Sequence, residues 1–334
     1  MPTMKDVASL AGVTPTTVSR VLNNRGYVSA ETRKKVFEAM ESINYQPNEI
    51  ARSLLRKRTN MIGVIIPTVI SGYFGALLEA IEKYCSQIDY KVIVCTSNND
   101  QKKEKAFAQM FVANKVDGII LCSRTKDISL FKELRIPVVA IERNNDDEIP
   151  VVTCDNWNGG ILAANHLIEC GCKKLMYIGG YQALNLVGNL RLEAFRKVCA
   201  QAGVESIIVA NDSEGRVDIL AAIQQNPDVD GIFASGDIIA ARAIQICIGL
   251  GLRIPEDVKV VGFDATMITQ LTTPRITTVA QPIKQLGECS VQLLLQLIEG
   301  ETVPNQTVFP VELLICGSTV IAPGESLNRS ESEN

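Results

Sequence analysis

Four hydrogen-bonding side chains stand just past short apolar runs. Glu142 and Arg143 follow the run that ends at Ile141, Asp264 follows Val261-Gly262-Phe263, and Gln281 follows Thr277-Thr278-Val279. Carboxylates and guanidinium groups make charge-assisted hydrogen bonds to adjacent hydroxyls, so this set suits a polyol. Arg191 opens the helical segment Leu190–Ala202 and is placed to join them if the runs are strands of one fold. Tyr73 and Phe74 follow the first apolar run after residue 60 and offer rings to stack on a ligand, or one of them merely starts a helix. Catalytic patterns are scarce. The chain has no glycine-rich loop ending in Gly-Lys-Ser/Thr, no Gly-x-Gly-x-x-Gly after its first strand and no Gly-x-Ser-x-Gly elbow. Its single histidine, His166, lies in the middle of a helical pattern and reads as structural. No catalytic residue and no cofactor is therefore assigned.

Ten cysteines sit mostly inside apolar segments, and Cys170-Gly171-Cys172 lacks the two-residue spacer of zinc and redox motifs. With one histidine available, no metal site is expected, and the thiols read as small buried side chains in a reducing cytosol. Nothing at the start resembles a secretory signal. The uncharged stretch Thr59–Leu78 is long enough for a membrane span, but Pro67, Thr68, Ser71, Gly72 and Gly75 divide it into a strand, a turn and a helix start. A cytoplasmic protein with no membrane contact is expected. The net charge of −4 conceals an asymmetry, with +5 in residues 1–60 and −9 in the rest. A basic head on an acidic body assigns nucleic acid to the head, although so small an excess also fits a solvated charged face.

The pattern of the first sixty residues is more informative. Val7, Ala8, Leu10 and Ala11 form the apolar side of a short helix that stops at Gly12. Thr14 is an N-cap and Pro15 sits at the first position of a second helix, where its missing N–H costs nothing. Val18, Val21 and Leu22 of that helix point inward, leaving Thr16, Thr17, Ser19, Arg20 and Asn23 outward. Two short helices around a glycine turn make a helix-turn-helix, whose second helix lies in the DNA major groove. A third helix is capped by Ser29 and packs through Val36, Phe37, Met40 and Ile43. Beyond it, Asn48 caps a marginal two-turn helix that pairs Leu54 and Leu55 with Arg52, Arg56, Lys57 and Arg58. Leucine can wedge between base steps from the minor groove while arginines hold phosphates. A plain linker with two leucines on the core is the alternative.

Asp6-Val7-Ala8, Ala11-Gly12-Val13, Thr17 to Asn23 and Tyr45-Gln46-Pro47-Asn48 with Ala51-Arg52-Ser53-Leu54 resemble the headpiece and hinge of the lactose/galactose repressor family. The resemblance continues from Met4 to about Pro323. It implies a DNA-contacting set of Thr14, Pro15, Thr16, Thr17, Ser19, Arg20, Asn23, Ser29, Asn48, Ala51 and Leu54. Pro15, Thr16 and Arg20 then stand at base-reading positions and Leu54 at the minor-groove lever. Pro15 departs from the family, since it donates no hydrogen bond. The resemblance likewise implies effector contacts at Tyr73, Phe74, Glu142, Arg143, Arg191, Asp237, Asp264 and Gln281. Ser235-Gly236-Asp237 stands where many sugar-responsive members have Ala-Asn-Asp, and Val209 to Asp212 lacks an aromatic found in some members. Glu142-Arg143-Asn144, Ile149-Pro150-Val151-Val152 and Asp155-Asn156 look closest to repressors of sucrose-type operons.

Stepping from site to scaffold, apolar strands alternate with helices from Met61 onward, which means parallel sheets covered on both faces. Strands are expected at Ile62–Pro67, Lys91–Cys95, Asp117–Cys122, Pro137–Ile141, Lys174–Ile178, Asp230–Ser235 and Lys259–Phe263. Val116-Asp117-Gly118-Ile119-Ile120 echoes Val229-Asp230-Gly231-Ile232-Phe233, so two similar lobes with a cleft at their strand ends are expected. The expected fold is a small all-α headpiece (1–46), a hinge (47–60) and a periplasmic-binding-protein-like α/β core (61–323) of two doubly wound lobes, with a flexible tail (324–334). The first lobe takes about 61–154 and 283–312, the second about 155–282 and 313–323. The expected protein is a homodimeric repressor of a palindromic operator, since the tail has no leucine heptad. Its effector is a mono- or disaccharide or a sugar phosphate. A corepressor-dependent, purine-type regulator and a sugar-binding protein without DNA function are the alternatives. Replacing Thr16 or Arg20 by alanine should cost roughly 1–3 kcal/mol of discrimination between operator and random DNA. Competition binding checks this, and equal losses on both DNAs would reduce the two side chains to backbone contacts.

Overall fold

The computed structural model describes residues 2–46, 58–125, 128–143, 148–179, 186–210 and 217–320. The chain divides at residue 60 into two compact units. The hinge residues Asn48, Ala51 and Leu54, the tail 324–334 and Asn211 and Asp212 lie outside the described residues.

The first unit contains three helices, α1 (Met4–Ala11), α2 (Pro15–Leu22) and α3 (Ala30–Ser42). A capping box at Thr3 and Asp6 starts α1, and Gly12 ends it in the left-handed conformation at φ 62°. Thr14 accepts from Thr17 N to cap α2, and Ser29 accepts from Thr32 N to cap α3. Val7, Ala8 and Ala11 meet Val18, Val21, Val36 and Ala39 in the core. Phe37 departs from its expected packing role and is 48 % exposed. It neighbours Val36 on α3, and a 100° step turns it out of the narrow buried stripe, which Ala39 fills instead.

The second unit holds two six-stranded sheets, ordered β11-β5-β4-β3-β1-β2 and β12-β10-β9-β8-β6-β7. The first lobe contains β1 (Met61–Ile66), β2 (Lys91–Thr96), β3 (Gly118–Leu121), β4 (Val138–Ile141), β5 (Val151–Cys154) and β11 (Gln306–Phe309). The second contains β6 (Lys174–Ile178), β7 (Glu205–Val209), β8 (Gly231–Ala234), β9 (Lys259–Asp264), β10 (Thr277–Ala280) and β12 (Glu312–Leu314). All pairings are parallel except β10 with β12. Parallel strands need crossovers, and helices cover both faces of each sheet. In β1, the two-residue alternation sends Ile62, Val64 and Ile66 to one face and Ile65 to the other, so each face closes its own core.

The chain passes between lobes three times, after β5, after β10 and between β11 and β12. Val311 packs in the second lobe and β12 begins at Glu312, so the last passage falls near Pro310, slightly earlier than expected. Helices α4 (Gly72–Gln87), α5 (Gln101–Ala113), α6 (Ser129–Lys132), α7 (Asn156–Glu169), α8 (Leu190–Ala202), α9 (Ile219–Gln225), α10 (Asp237–Gly249), α11 (Ile268–Leu271) and α12 (Ile283–Ile298) complete the unit. No described helix is long and apolar enough to cross a membrane. The described cysteines are all free, and His166 Nε2 lies 2.8 Å from Thr319 Oγ1, a structural contact.

Helices α7 and α8 approach closely because Gly160 has no side chain. A Cβ there would press on the Arg191 carbonyl oxygen and fall 2.8 Å from Ala194 Cβ. Since the obstacle includes backbone, Gly160→Ala should destabilise the core by about 1–3 kcal/mol, measured by urea unfolding. An unchanged midpoint would contradict this packing.

Candidate functional site

On the first unit, the exposed face of α2 carries Pro15, Thr16 and Arg20, with Thr14 beside them at the cap. These side chains are presented to solvent with none of their bulk needed by the core. Ser19 and Asn23 are less available. The Asn23 amide donates to Ser19 O at 2.9 Å and lies 3.3 Å from its hydroxyl, closing the end of α2. Thr17 is half-buried and its hydroxyl meets that of Thr14 at 3.0 Å. Ser29 is an exposed cap that donates to Thr32 Oγ1. Among the described residues, Thr14, Pro15, Thr16, Arg20 and Ser29 are thus the exposed members of the expected set.

In the second unit, a cavity of about 260 Å³ opens where the C-terminal ends of the strands of both lobes meet. Its lining includes seven of the eight expected effector residues: Tyr73 and Phe74 after β1, Glu142 after β4, Arg191 on α8, Asp237 after β8, Asp264 at the end of β9 and Gln281 after β10. Strand ends of doubly wound sheets present divergent loops, and that opening is where such folds take ligands.

Arg191 is the centre of the arrangement. Its Nε donates to Asn156 Oδ1 at 2.6 Å and its Nη1 to Ser235 O at 2.9 Å. The guanidinium lies over the Phe263 ring, 3.4 Å from its centroid. Glu142 and Asp264 approach it at 3.8 and 4.0 Å. Burial opposes the charge on Arg191, but Asp264 foremost among its neighbours holds the proton more firmly than usual. Asp264 itself is pushed up to about 7, chiefly by burial, with Arg191 pulling the other way and Asp237 adding repulsion. Gln281 Nε2 donates to Asp264 Oδ1 at 2.6 Å, while Gln281 Oε1 is buried without a hydrogen-bond partner. Tyr73 Oη, also buried on the cavity wall, has none either.

Two expected residues behave differently. Arg143 does not line the cavity. It is buried and donates from Nη1 to Ser123 O at 2.8 Å and Thr125 O at 2.9 Å, bracing the segment after β3. Glu142 stands past β4 in a left-handed backbone at φ 55°, and Arg143 after it turns to the carbonyls of Ser123 and Thr125 instead of the cavity. Asp237 lines it, but its carboxylate is committed to Thr266 N, Thr266 Oγ1 and Thr278 Oγ1 at 2.7, 2.9 and 2.7 Å. Burial raises its pKa against those bonds. Asp237 therefore reads as a clamp between α10 and two strand ends.

Arg124, unnoticed in the sequence, lines the cavity after β3 with its guanidinium 5.1 Å from the Phe74 centroid. Its place just past Val116 to Cys122 was the available signal. Asn189 and Thr266 were likewise missed. Among the described residues no cluster of side chains is arranged to hold a metal.

Residues 3–48 match the family described as bacterial regulatory proteins, lacI family, and residues 164–320 match the periplasmic binding protein-like domain. The ribose operon repressor of Halalkalibacterium halodurans is 38% identical over 96% of this chain and 97% of its own length. The sucrose operon repressor of Streptococcus mutans is also 38% identical, over 93% and 97%. The chain belongs to the lacI family. Its fold agrees with that of the lac repressor dimer solved with operator and the anti-inducer ONPF, at a TM-score of 0.83 and 27% identity over 96% of this chain and 99% of that one. A lacI-family headpiece and a two-lobed core are therefore joined in one regulatory protein, as the sequence motifs implied.

The raised Asp264 carboxyl gives this lacI-family core a pH signature. Between its unfolded value of 3.8 and about 7, the folded chain keeps a proton that the unfolded chain has released. Stability therefore falls as pH rises through that window and levels off above it, by at most about 1.4 kcal/mol per pH unit. Asp264→Asn removes this titration, so its stability relative to the wild-type protein should rise from pH 5 to pH 8 in denaturant titrations. A constant difference would place Asp264 in an ordinary carboxylate environment.

Proposed function

We propose that this protein is a transcriptional repressor that binds a palindromic operator as a homodimer and is released by a neutral, monosaccharide-sized sugar held between its lobes. The observation that carries the effector assignment is the polar cavity around Arg191, in a chain that also presents Pro15, Thr16 and Arg20 on an exposed helix. The cavity is small. Small-molecule sites usually offer about 300–1,000 Å³, so a volume of about 260 Å³ favours one sugar ring over two.

Charge favours a neutral ligand. Arg191 has spent Nε and Nη1 on Asn156 and Ser235, and its remaining edge faces Glu142. A phosphate placed there would meet the carboxylates of Glu142 and Asp264, and the cavity's other described cation, Arg124, lies against Phe74 on the opposite lobe from Arg191. Hydroxyl groups suit the same place, since they donate to carboxylates and to Gln281 Oε1 and accept from Tyr73 Oη. Tyr73 and Phe74 supply the apolar wall that a sugar ring requires. The named relatives act on ribose and sucrose operons, and the lac repressor dimer holds operator, which supports a sugar-controlled operator as this chain's target. Such a protein works in the cytoplasm, where the DNA is, and binds its sugar without turning it over. Asn48, Ala51 and Leu54 extend the DNA surface as hinge contacts, with Leu54 the minor-groove wedge.

Fluorescence anisotropy with operator DNA and D-ribose, D-fructose, D-glucose and sucrose tests the proposal. One of the monosaccharides should release the wild-type protein. Asp264→Ala should keep operator affinity but need about tenfold more sugar or beyond, the effect of losing one hydrogen bond to a charged group. Tighter DNA binding on adding a ligand would instead establish a corepressor. Indifference to every sugar would remove the effector assignment.

A further inference from the structure

Glu142 and Arg191 belong to different lobes, and one buried side chain touches both. Asn156, the first residue of α7, is 1% exposed and stands just past the β5 passage between lobes. Its Nδ2 donates to Glu142 Oε2 at 3.0 Å and also lies 3.1 Å from Cys154 O and 3.3 Å from Thr153 Oγ1. Its Oδ1 accepts from Arg191 Nε at 2.6 Å. The amide thus offers a donor to the carboxylate and an acceptor to the guanidinium, with opposite polarity at its two ends. It does not line the cavity.

We propose that Asn156 is the positioning residue of the effector cavity, holding Glu142 of the first lobe and Arg191 of the second at a fixed spacing so that one ligand engages both. The proposal rests on the cavity being the effector site. Glu142 and Arg191 are only 3.8 Å apart at Nη2 and Oε2, too far for a good hydrogen bond, so their own attraction does not fix their geometry. Glu142 takes a left-handed backbone at φ 55° and is otherwise held by Thr153 Oγ1 at 2.9 Å and Cys154 N at 2.8 Å, both on Oε1. Oε2, the oxygen nearer Arg191, has Asn156 as its neutral donor. An amide supplies both, whereas a carboxylate lacks the donor and an ammonium lacks the acceptor.

The test uses full-length protein and two substitutions. Asn156→Ala removes both bonds. Asn156→Asp keeps the acceptor for Arg191 and regains a donor for Glu142 only when the new carboxyl is protonated. The charged and titratable groups around this position are Glu142, Arg191, Asp264 beyond Arg191, the Cys154 thiol, held protonated mainly by burial, and Asp155, which caps α7 through Asn158 N. In free protein with ¹⁵N-labelled arginine, assigned with Arg191→Lys, the Arg191 Nε–H should exchange slowly in the wild-type chain and at least about tenfold faster in Asn156→Ala. Sugar affinity, read with D-ribose, D-fructose and D-glucose, should fall in both variants. Relative to wild type at each pH, Asn156→Asp should recover between pH 8 and pH 5, whereas Asn156→Ala should stay flat. A merely structural asparagine would show no such pH-dependent rescue. A protected Arg191 Nε–H in Asn156→Ala, or a flat ratio in Asn156→Asp, overturns the proposal. If the wild-type protein binds none of these sugars, the effector assignment fails, and the exchange measurement still decides the role of Asn156.

Discussion

Keeping one guanidinium charge buried governs much of the core's architecture. Removing an ion from water costs several kcal/mol unless partners compensate. Arg191 meets that cost with a side-chain carbonyl, a backbone carbonyl, an aromatic face and two carboxylates at moderate distance. These partners come from the ends of β4, β8 and β9 and from the start of α7. Asp264, on the same lobe as Arg191, contributes most to holding its charge, and Glu142 reaches it from the other lobe. The carboxylates stay beyond direct hydrogen-bond range, which leaves room for an outside hydroxyl to intervene.

Backbone conformation at the strand ends is bent to serve this arrangement. Glu142, Asp264 and Ala265 have φ of 55°, 110° and 56°, values that side chains with a Cβ adopt at a cost of order 1–3 kcal/mol each. Ordinary strands would carry these residues past the cavity. The turn at Asp264 brings its carboxylate within 2.6 Å of Gln281 Nε2, across the β9–β10 pairing. Asp237 stabilises the neighbouring turn by accepting from Thr266 N and Thr278 Oγ1. Hydrogen bonds to Asp237 and Gln281 hold the strained turn at Asp264 and Ala265, beside the cavity.

Most central strands were legible because they are continuous apolar runs, but the short central strands Val151–Cys154 and Thr277–Ala280 were not among those expected. Of the edge strands, Lys91–Thr96 was expected, whereas Glu205–Val209, Gln306–Phe309 and Glu312–Leu314 were not, since polar residues interrupt their runs. The strand-end rule located Glu142, Asp264 and Gln281, and the same rule applied to Cys122 would have found Arg124. It failed at Arg143, whose guanidinium is taken by the backbone carbonyls of Ser123 and Thr125. Asn156 was hidden for another reason. An asparagine at a helix start looks like a local cap, and only the folded chain reveals that its partners are 14 and 35 residues away.

The positions of the three passages between lobes connect binding to movement. Asn156 follows the first passage directly and Gln281 lies in the second, so residues that shape the cavity also form the joints. A ligand moves a two-state protein only by its difference in affinity for the two states. Shifting a population from 1:99 to 99:1 takes about 5.5 kcal/mol. A net hydrogen bond contributes about 0.5–1.5 kcal/mol, or about 1.5–3 with a charged partner. Two charge-assisted bonds, at Asp264 and Glu142, with neutral ones at Gln281 Oε1 and Tyr73 Oη would reach that range. Bonds confined to one lobe would persist in either lobe arrangement and contribute affinity without a shift. On the proposed function, a ligand distinguishes the arrangements by bonding to both lobes at once, as bonds to Glu142 of the first and Asp264 of the second would.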